Sequence, residues 1–274
     1  MAYELNVSVT TLSQYVCRAG DLSGGSASSV SGIQGTQLHR KIFKELEKIY
    51  GEEYETEYSL SGSIDFSTLV LNINGRADVF IDNDNGFNHI IEIKSINSTK
   101  NSYEKLVRTE HEAQLKIYAA LYFLNHEDVQ DICISLRYVS ITTLEAFDKT
   151  VLYKRDEALA FLDEVAGQYA DFAIKLINYN TASIESIRNM SFPYDNMRPG
   201  QAQFMKSTLF SIMSREALFV EAPTGTGKTI SVLYPAIKGL VKKNYFQIYY
   251  LTAKTATRVV ATKALNDMRN KGLI

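Results

Sequence analysis

Between Tyr54 and Lys94 the chain strings together YETEYSLSG, STLVLNI, RADVFID and NHIIEIK, short runs rich in β-branched and aromatic residues. Asn74-Gly75 and Asp84-Asn85-Gly86 punctuate them, so the pattern predicts a meander of antiparallel hairpins. Nothing else constrains the fold as tightly, because a slip of one residue in such a sheet turns every core side chain outward. Taking Asp84-Asn85-Gly86 as a three-residue loop, with Gly86 left-handed, sets Asn83 opposite Phe87. Counting outward sets Asp78 opposite Glu92 and Arg76 opposite Lys94 on one face. Ala77, Val79, Ile91 and Ile93 then share the other face and can pack as core.

Directly opposed carboxylates destabilise a sheet, so something must offset them. A divalent cation would do so, since a hard cation accepts one or two carboxylates together with waters and phosphate oxygens. Lys94, one pleat from Glu92, would then position a water or stabilise charge developing on a phosphate. The competing reading is a solvated outer face on which Arg76 and Lys94 neutralise both acids.

Helices flank the meander. GTQLHRKIFKELEKIY places Leu38, Ile42, Leu46 and Ile49 at helical spacing, after a small, polar stretch from Asp21 to Gly32 that reads as a mobile loop. EKLVRTEHEAQLKIYAALYFLNHE predicts a long helix, DICISLRYVSIT a strand, and residues 155–188 a mostly helical stretch. The Ser191-Phe192-Pro193 turn restarts the pattern and divides the chain into domains of residues 1–190 and 191–274. Beyond it come a helix, the strand ALFVEA, a glycine loop, a helix, the strand YFQIYYLT and a helix, the alternation of a parallel α/β sheet.

GRAD followed by EIK resembles the motif of the PD-(D/E)XK nuclease superfamily. With His39 on an earlier helix, and Gln114 and Tyr118 one turn apart in QLKIYAAL, it is similar to the RecB-type branch. That resemblance implies a restriction-endonuclease-like α+β core, a mixed sheet flanked by helices. It implies that Asp78, Glu92 and the Ile93 carbonyl bind a catalytic Mg²⁺ or Mn²⁺, with His39 as a further ligand. Lys94 would help activate the attacking water, and Gln114 and Tyr118 would line the site or touch the DNA backbone. The implied reaction is hydrolysis of phosphodiester bonds in DNA, single-stranded and exonucleolytic in preference. Taken singly, His39 also reads as a core histidine and Gln114 with Tyr118 as ordinary packing, while His111 and His126 read as surface. Cys17 and Cys133 cannot by themselves ligate an iron–sulfur cluster, so none is expected.

ALFVEAPTGTGKTISVLYPAIKGL sets strand, glycine-rich loop and helix in the order a phosphate loop requires. Lys228 would reach the β- and γ-phosphates of ATP and Thr229 would ligate Mg²⁺. Ala222 stands where the general pattern has glycine. The run Ala222, Pro223, Thr224, Gly225, Thr226, Gly227, Lys228, Thr229 instead resembles the loop of superfamily-two helicases. Upstream, Arg198 and Gln201 resemble the adenine-sensing motif of DinG- and XPD-like helicases, with the Gln201 amide reading the base. YYLTAKTATRVVATKAL resembles the next helicase motif. From Lys238 to Ile274 the basic residues are Lys238, Lys242, Lys243, Lys254, Arg258, Lys263, Arg269 and Lys271, against Asp267 as the sole acid. Such a patch suits DNA phosphates, although a net charge of −2 conceals it. The resemblance implies an incomplete RecA-like α/β domain. No Asp-Glu-x-His stretch follows the loop, so the remainder of a helicase is expected C-terminal to Ile274.

The expectation is thus a cytoplasmic, membrane-free nuclease fused to the start of an ATP-driven helicase. Its rivals are a non-catalytic DNA-binding module and a P-loop ATPase acting on a small molecule.

Overall fold

The computed structural model describes residues 2–17, 32–97, 107–243, 247–253 and 255–274. The expected loop from Asp21 to Gly32 lies almost wholly outside them, as do residues 98–106. The chain divides into two units, Met1–Ile174 and Lys175–Ile274. The division falls inside a long helix rather than at the Pro193 turn, because Ile187 at the end of that helix and Met190 just past it join the apolar cluster of the second unit.

In the first unit, β1 (Tyr3–Ser8) and α1 (Val9–Cys17) precede α2 (Gly32–Tyr50). β2 (Tyr54–Asp65), β3 (Leu69–Asp84) and β4 (Phe87–Ile96) form the meander. α3 (Thr109–Asn125), β5 (Asp131–Ser140), β6 (Ala146–Lys154) and the start of α4 (Arg155–Asn189) complete it. The sheet is mixed: β1 runs parallel to β3 and β4 to β5, and the remaining pairs are antiparallel.

The expected register is present between β3 and β4, with Val79 opposite Ile91 and Ile81 opposite His89. Its tip differs. Asn85 and Gly86, at φ 54° and 93°, make a two-residue turn, and a bulge lies between Ile81 and Asp84. The extra residue in the bulge restores the alignment that a three-residue loop would have given. The expected turn at Asn74-Gly75 is absent. STLVLNI and RADVFID form one strand of 16 residues, and the chain reverses earlier, where Ser67 at φ 67° donates its N–H to the Asp65 carboxylate.

β3 carries three neighbours, and this creates the site. β2 pairs with Val70 to Ile81 along one edge. The opposite edge is shared: β1 takes Leu69 to Asn74 and β4 takes Val79 onward. Gly75 to Asp78 therefore face a gap between two strands, and α3 packs there.

One apolar cluster joins Val79, Ile81, Ile91, Ile93 and Val139 to Leu38, Ile42 and Leu46 of α2. These helical positions are four apart, so the next one inward is Tyr50; Ile49, expected in the core, is 71% exposed. The larger cluster gathers α1, α3 and the first turns of α4 around Leu71, Ile73 and Ile90. α3 is buried on nearly every side, which is why it lacks a polar stripe.

The second unit contains α5 (Gln201–Ser214), α6 (Lys228–Lys243) and α7 (Thr255–Arg269); Ile230 and Leu233 of α6 and Ala264 and Met268 of α7 share a core. The two strands expected here do not form: among the described residues, 216–223 and 247–251 join no strand ladder. A strand needs partners for its backbone groups, and these segments instead leave Phe219 95% and Leu251 88% exposed. Helices lie where the expected RecA-like domain has helices, but among the described residues no strand lies between them.

Among the described residues no helix is long and apolar enough to cross a membrane.

Candidate nuclease and nucleotide sites

Where β3 and β4 part, their hydrogen bonding passes to side chains. The Ile93 N–H donates to Asp78 Oδ2 at 2.7 Å. Tyr118 Oη, from α3, donates to the Arg76 carbonyl at 2.8 Å. Both replace ladder bonds that the gap removes. Gly75 permits the approach: a Cβ there would lie 2.8 Å from the Tyr118 ring and 2.9 Å from Val9.

Alternation puts Glu92 on the same face as Ile90, toward α3, and it is only 4% exposed. Lys94 Nζ bridges Glu92 Oε1 at 2.7 Å and Gln114 Oε1 at 3.0 Å. Gln114 Nε2 donates in turn to Tyr118 Oη at 3.1 Å. His39 of α2 approaches from elsewhere, its Nδ1 3.5 Å from Asp78 Oδ1. The structure thus brings His39, Asp78, Glu92, Ile93, Lys94, Gln114 and Tyr118 into one connected cluster. Arg76 does not pair across to Lys94; its guanidinium meets Glu57 of β2 at 2.9 Å. The solvated-face reading therefore fails for Glu92, which is buried.

The electrostatics follow from burial. Glu92 is pushed up to about 7, first by desolvation, with Lys94 opposing and Asp78 adding to the rise. His39 is raised, chiefly by its bond to Asp78. Tyr118 is raised by burial and by Glu92.

A divalent cation fits this donor set. Glu92 Oε2 is buried without a hydrogen-bond partner, and the Asp78 charge is near enough to raise its pKa; Asp78 Oδ1 faces His39. Among the described residues no three His, Cys, Asp or Glu side chains converge as a metal cluster. His39 therefore does not complete an all-side-chain cage, and the set suits a hard ion that keeps much of its water.

One neighbour escaped the sequence reading. His111, expected at the surface, is half-buried with Nδ1 2.9 Å from Tyr138 Oη. Burial, then Lys94 and Arg108, lower it to about 4. Its spacing of three residues before Gln114 on one helix was the available signal.

In the second unit, Arg198, Gln201, Gly225, Gly227, Lys228 and Thr229 line one cleft of about 580 Å³. Gly225 and Gly227 have φ 83° and 78°, a backbone that side chains resist. The Gln201 amide is buried and lies so close that a Cβ on Gly227 would be 2.6 Å from its nitrogen. Gln201 Oε1 accepts the Arg198 N–H at 3.0 Å. Lys228 Nζ donates to the carbonyls of Ala222 and Pro223 at 2.8 and 2.7 Å. Ala222, Pro223 and Thr226 line a separate hollow with Phe219, and Thr224 is exposed. Of the basic patch, Lys238 is committed elsewhere: it donates to the Ile187 and Arg188 carbonyls at the end of α4, where a cation suits the helix dipole. Lys254 lies outside the described residues.

Comparison with known proteins adds the following. No curated protein matches the chain. Among solved structures, SSO0001 is 21% identical over 61% of this chain and 78% of its own, at a TM-score of 0.39. A phage related exonuclease from Haemophilus somnus 129PT is 13% identical over 64% of this chain and 97% of its own, at 0.34. The family model of the PD-(D/E)XK nuclease superfamily matches residues 23–198, more than half of the chain and the whole of the acidic cluster. The chain belongs to the PD-(D/E)XK nuclease superfamily.

Proposed function

We propose that the first unit hydrolyses phosphodiester bonds in DNA with the help of a divalent metal ion, acting on single strands and from an end. Asp78, Glu92 and the Ile93 carbonyl would hold Mg²⁺ or Mn²⁺, and His39, beside Asp78, would be a further ligand. When bound, such an ion lowers the pKa of a water and clamps the scissile phosphate. Lys94, fixed between Glu92 and Gln114, offers its remaining N–H to a water or a phosphate oxygen as negative charge develops there. Tyr118 holds Gln114 in place, so the helix reports its position to the ammonium through two hydrogen bonds. The observation that carries the reading is the buried Glu92 oxygen left without a donor beside a lysine and a second carboxylate.

The test is degradation of labelled single-stranded DNA with Mg²⁺ or Mn²⁺ by wild type and Asp78→Asn, which retains an oxygen for the Ile93 amide. Activity in wild type and its loss in the variant support the reading. Equal activity, or none in wild type, sinks it; DNA binding without cleavage would favour the module that only grips DNA.

A second reading concerns residues 198–229, where Gln201 and the glycine-rich loop line one cleft. We propose that this cleft binds ATP, as in a DinG- or XPD-like helicase motor. The glycine-rich turn at the N-terminus of α6 supports it. Binding of a fluorescent ATP analogue, abolished in Lys228→Ala, tests it.

A further inference from the structure

Beside the acidic cluster lies a shallow groove of about 560 Å³, lined by Thr10, Ser59, Ser61, Asn74, Arg76 and Gln114, with no carboxylate in its walls among the described residues. Thr10 belongs to α1, the serines to β2, and Asn74 and Arg76 to β3. Ser59 is the strand partner of Arg76, and Ser61 of Asn74. All four of Thr10, Ser59, Ser61 and Asn74 are exposed. Arg76 is tied to Glu57, but both side chains are more than half exposed, 65% and 59%, and such pairs contribute little. The guanidinium can exchange Glu57 for another anion at small cost. The groove meets the candidate site at Gln114, which holds Lys94.

We infer that this groove seats the phosphodiester backbone of the nucleotides adjoining the scissile one. This rests on the nuclease reading above and extends it. Hydroxyl, amide and guanidinium donors without a carboxylate among them match phosphate and sugar oxygens. Tyr118, the one aromatic ring in the wall among the described residues, is 2% exposed and offers no face for a base to stack on. Contacts of this kind fix a strand's position without reading its sequence. A strand with one phosphate at the acids would therefore continue past Gln114, over Arg76, toward β2 and α1, whatever its bases.

The experiment measures binding of a labelled single-stranded oligonucleotide in EDTA, where no cleavage occurs, across a range of salt. Wild type, Arg76→Gln, Ser59→Ala with Ser61→Ala, and Lys154→Gln are compared, the last removing an equal charge at the far end of β6. Arg76→Gln should weaken binding and reduce the slope of log K against log salt by about 0.7, one phosphate's worth on a single strand. The double serine variant should lose about fivefold to tenfold with its slope unchanged, since it deletes neutral donors worth one weak hydrogen bond each. Lys154→Gln should match wild type. Wild-type affinity and slope in both groove variants overturn the inference, as does an equal fall in slope for Lys154→Gln or an absence of binding in EDTA. The groove substitutions are at the surface, and melting curves check the fold; if one unfolds, the other decides. Cleavage is scored separately, so failure of the nuclease reading is distinguishable from failure of the groove.

Discussion

Replacing Gly75 by alanine discriminates between three accounts of why glycine stands in the middle of β3. If the Asn74-Gly75 pair made a turn, alanine would be strained by a left-handed backbone. Gly75 does not have positive φ, so that cost is absent. If the position were an ordinary strand site, alanine would stabilise the fold by roughly 0.5–1 kcal/mol, because it has less chain entropy to lose. The third account is close packing. A new Cβ would lie 2.8 Å from Tyr118 Cε1, 2.9 Å from Val9 Cγ2 and 3.1 Å from Val9 Cβ. Ordinary carbon contacts begin near ~3.5 Å, so the ring and the valine must both retreat by several tenths of an ångström. Neither is free to do so. Tyr118 is 2% exposed and Val9 is wholly buried, and the Tyr118 hydroxyl is held by the Arg76 carbonyl and Gln114. Overpacking of this kind costs about 1–3 kcal/mol, which outweighs the entropic gain. A shift of Tyr118 also disturbs Gln114 and hence Lys94, so kcat should fall with stability. Urea unfolding reads the first effect and single-strand degradation the second. Wild-type stability, or better, in Gly75→Ala would refute the packing account and with it the idea that this glycine admits α3 to the site. Gly86→Ala is the control: at φ 93° with nothing within 4 Å, it should cost about 1 kcal/mol through backbone strain alone.

Tyr118→Phe removes a buried hydroxyl and leaves the Arg76 carbonyl and the Gln114 amide short of a partner. It should cost about 1–3 kcal/mol in urea unfolding and slow cleavage more than it weakens DNA binding. His111 is held below its ordinary value, to about 4, so the unfolded chain binds more protons between that point and the unfolded pKa near ~6.5. Its contribution to stability is therefore present above that range and lost as pH falls through it; His111→Gln should flatten that part of the stability profile. Lys228→Ala should leave the melting temperature close to wild type, since its amine serves two carbonyls at an exposed loop, and should abolish binding of a fluorescent ATP analogue.

Residues were legible where the information was local. Period-two alternation around a turn-forming Asn-Gly fixes which side chains share a face, so the register of Val79 with Ile91 could be counted out. So could the helical partnership of Gln114 and Tyr118. What alternation cannot supply is which face another element covers, and Glu92, readable as a solvated acid, is buried. The parallel pairing of Tyr3 with Leu69 joins segments far apart in the chain and leaves no local mark in either. β6 was missed because AFDKTVLYK lies at a sheet edge with most of its residues exposed, which blurs the apolar alternation. In the second unit the reverse occurred. ALFVEA and YFQIYYLT have the composition of buried strands, and composition cannot say whether neighbours exist to pair with them.

The pairing that sequence could not show is what makes the acidic cluster possible. A strand with one partner along each edge satisfies its backbone uniformly and has no place for a carboxylate between strands. β3 divides one edge between β1 and β4, and the residues in the interval must find other partners. Asp78 accepts the Ile93 amide and Tyr118 donates to Arg76, so the side chains that repair the broken ladder belong to the same hydrogen-bonded chain as Gln114, Lys94 and Glu92. Stability and chemistry are coupled here through shared hydrogen bonds. A substitution that deletes a repairing group weakens both, whereas one that keeps its oxygen, as Asp78→Asn does, separates the charge from the scaffold.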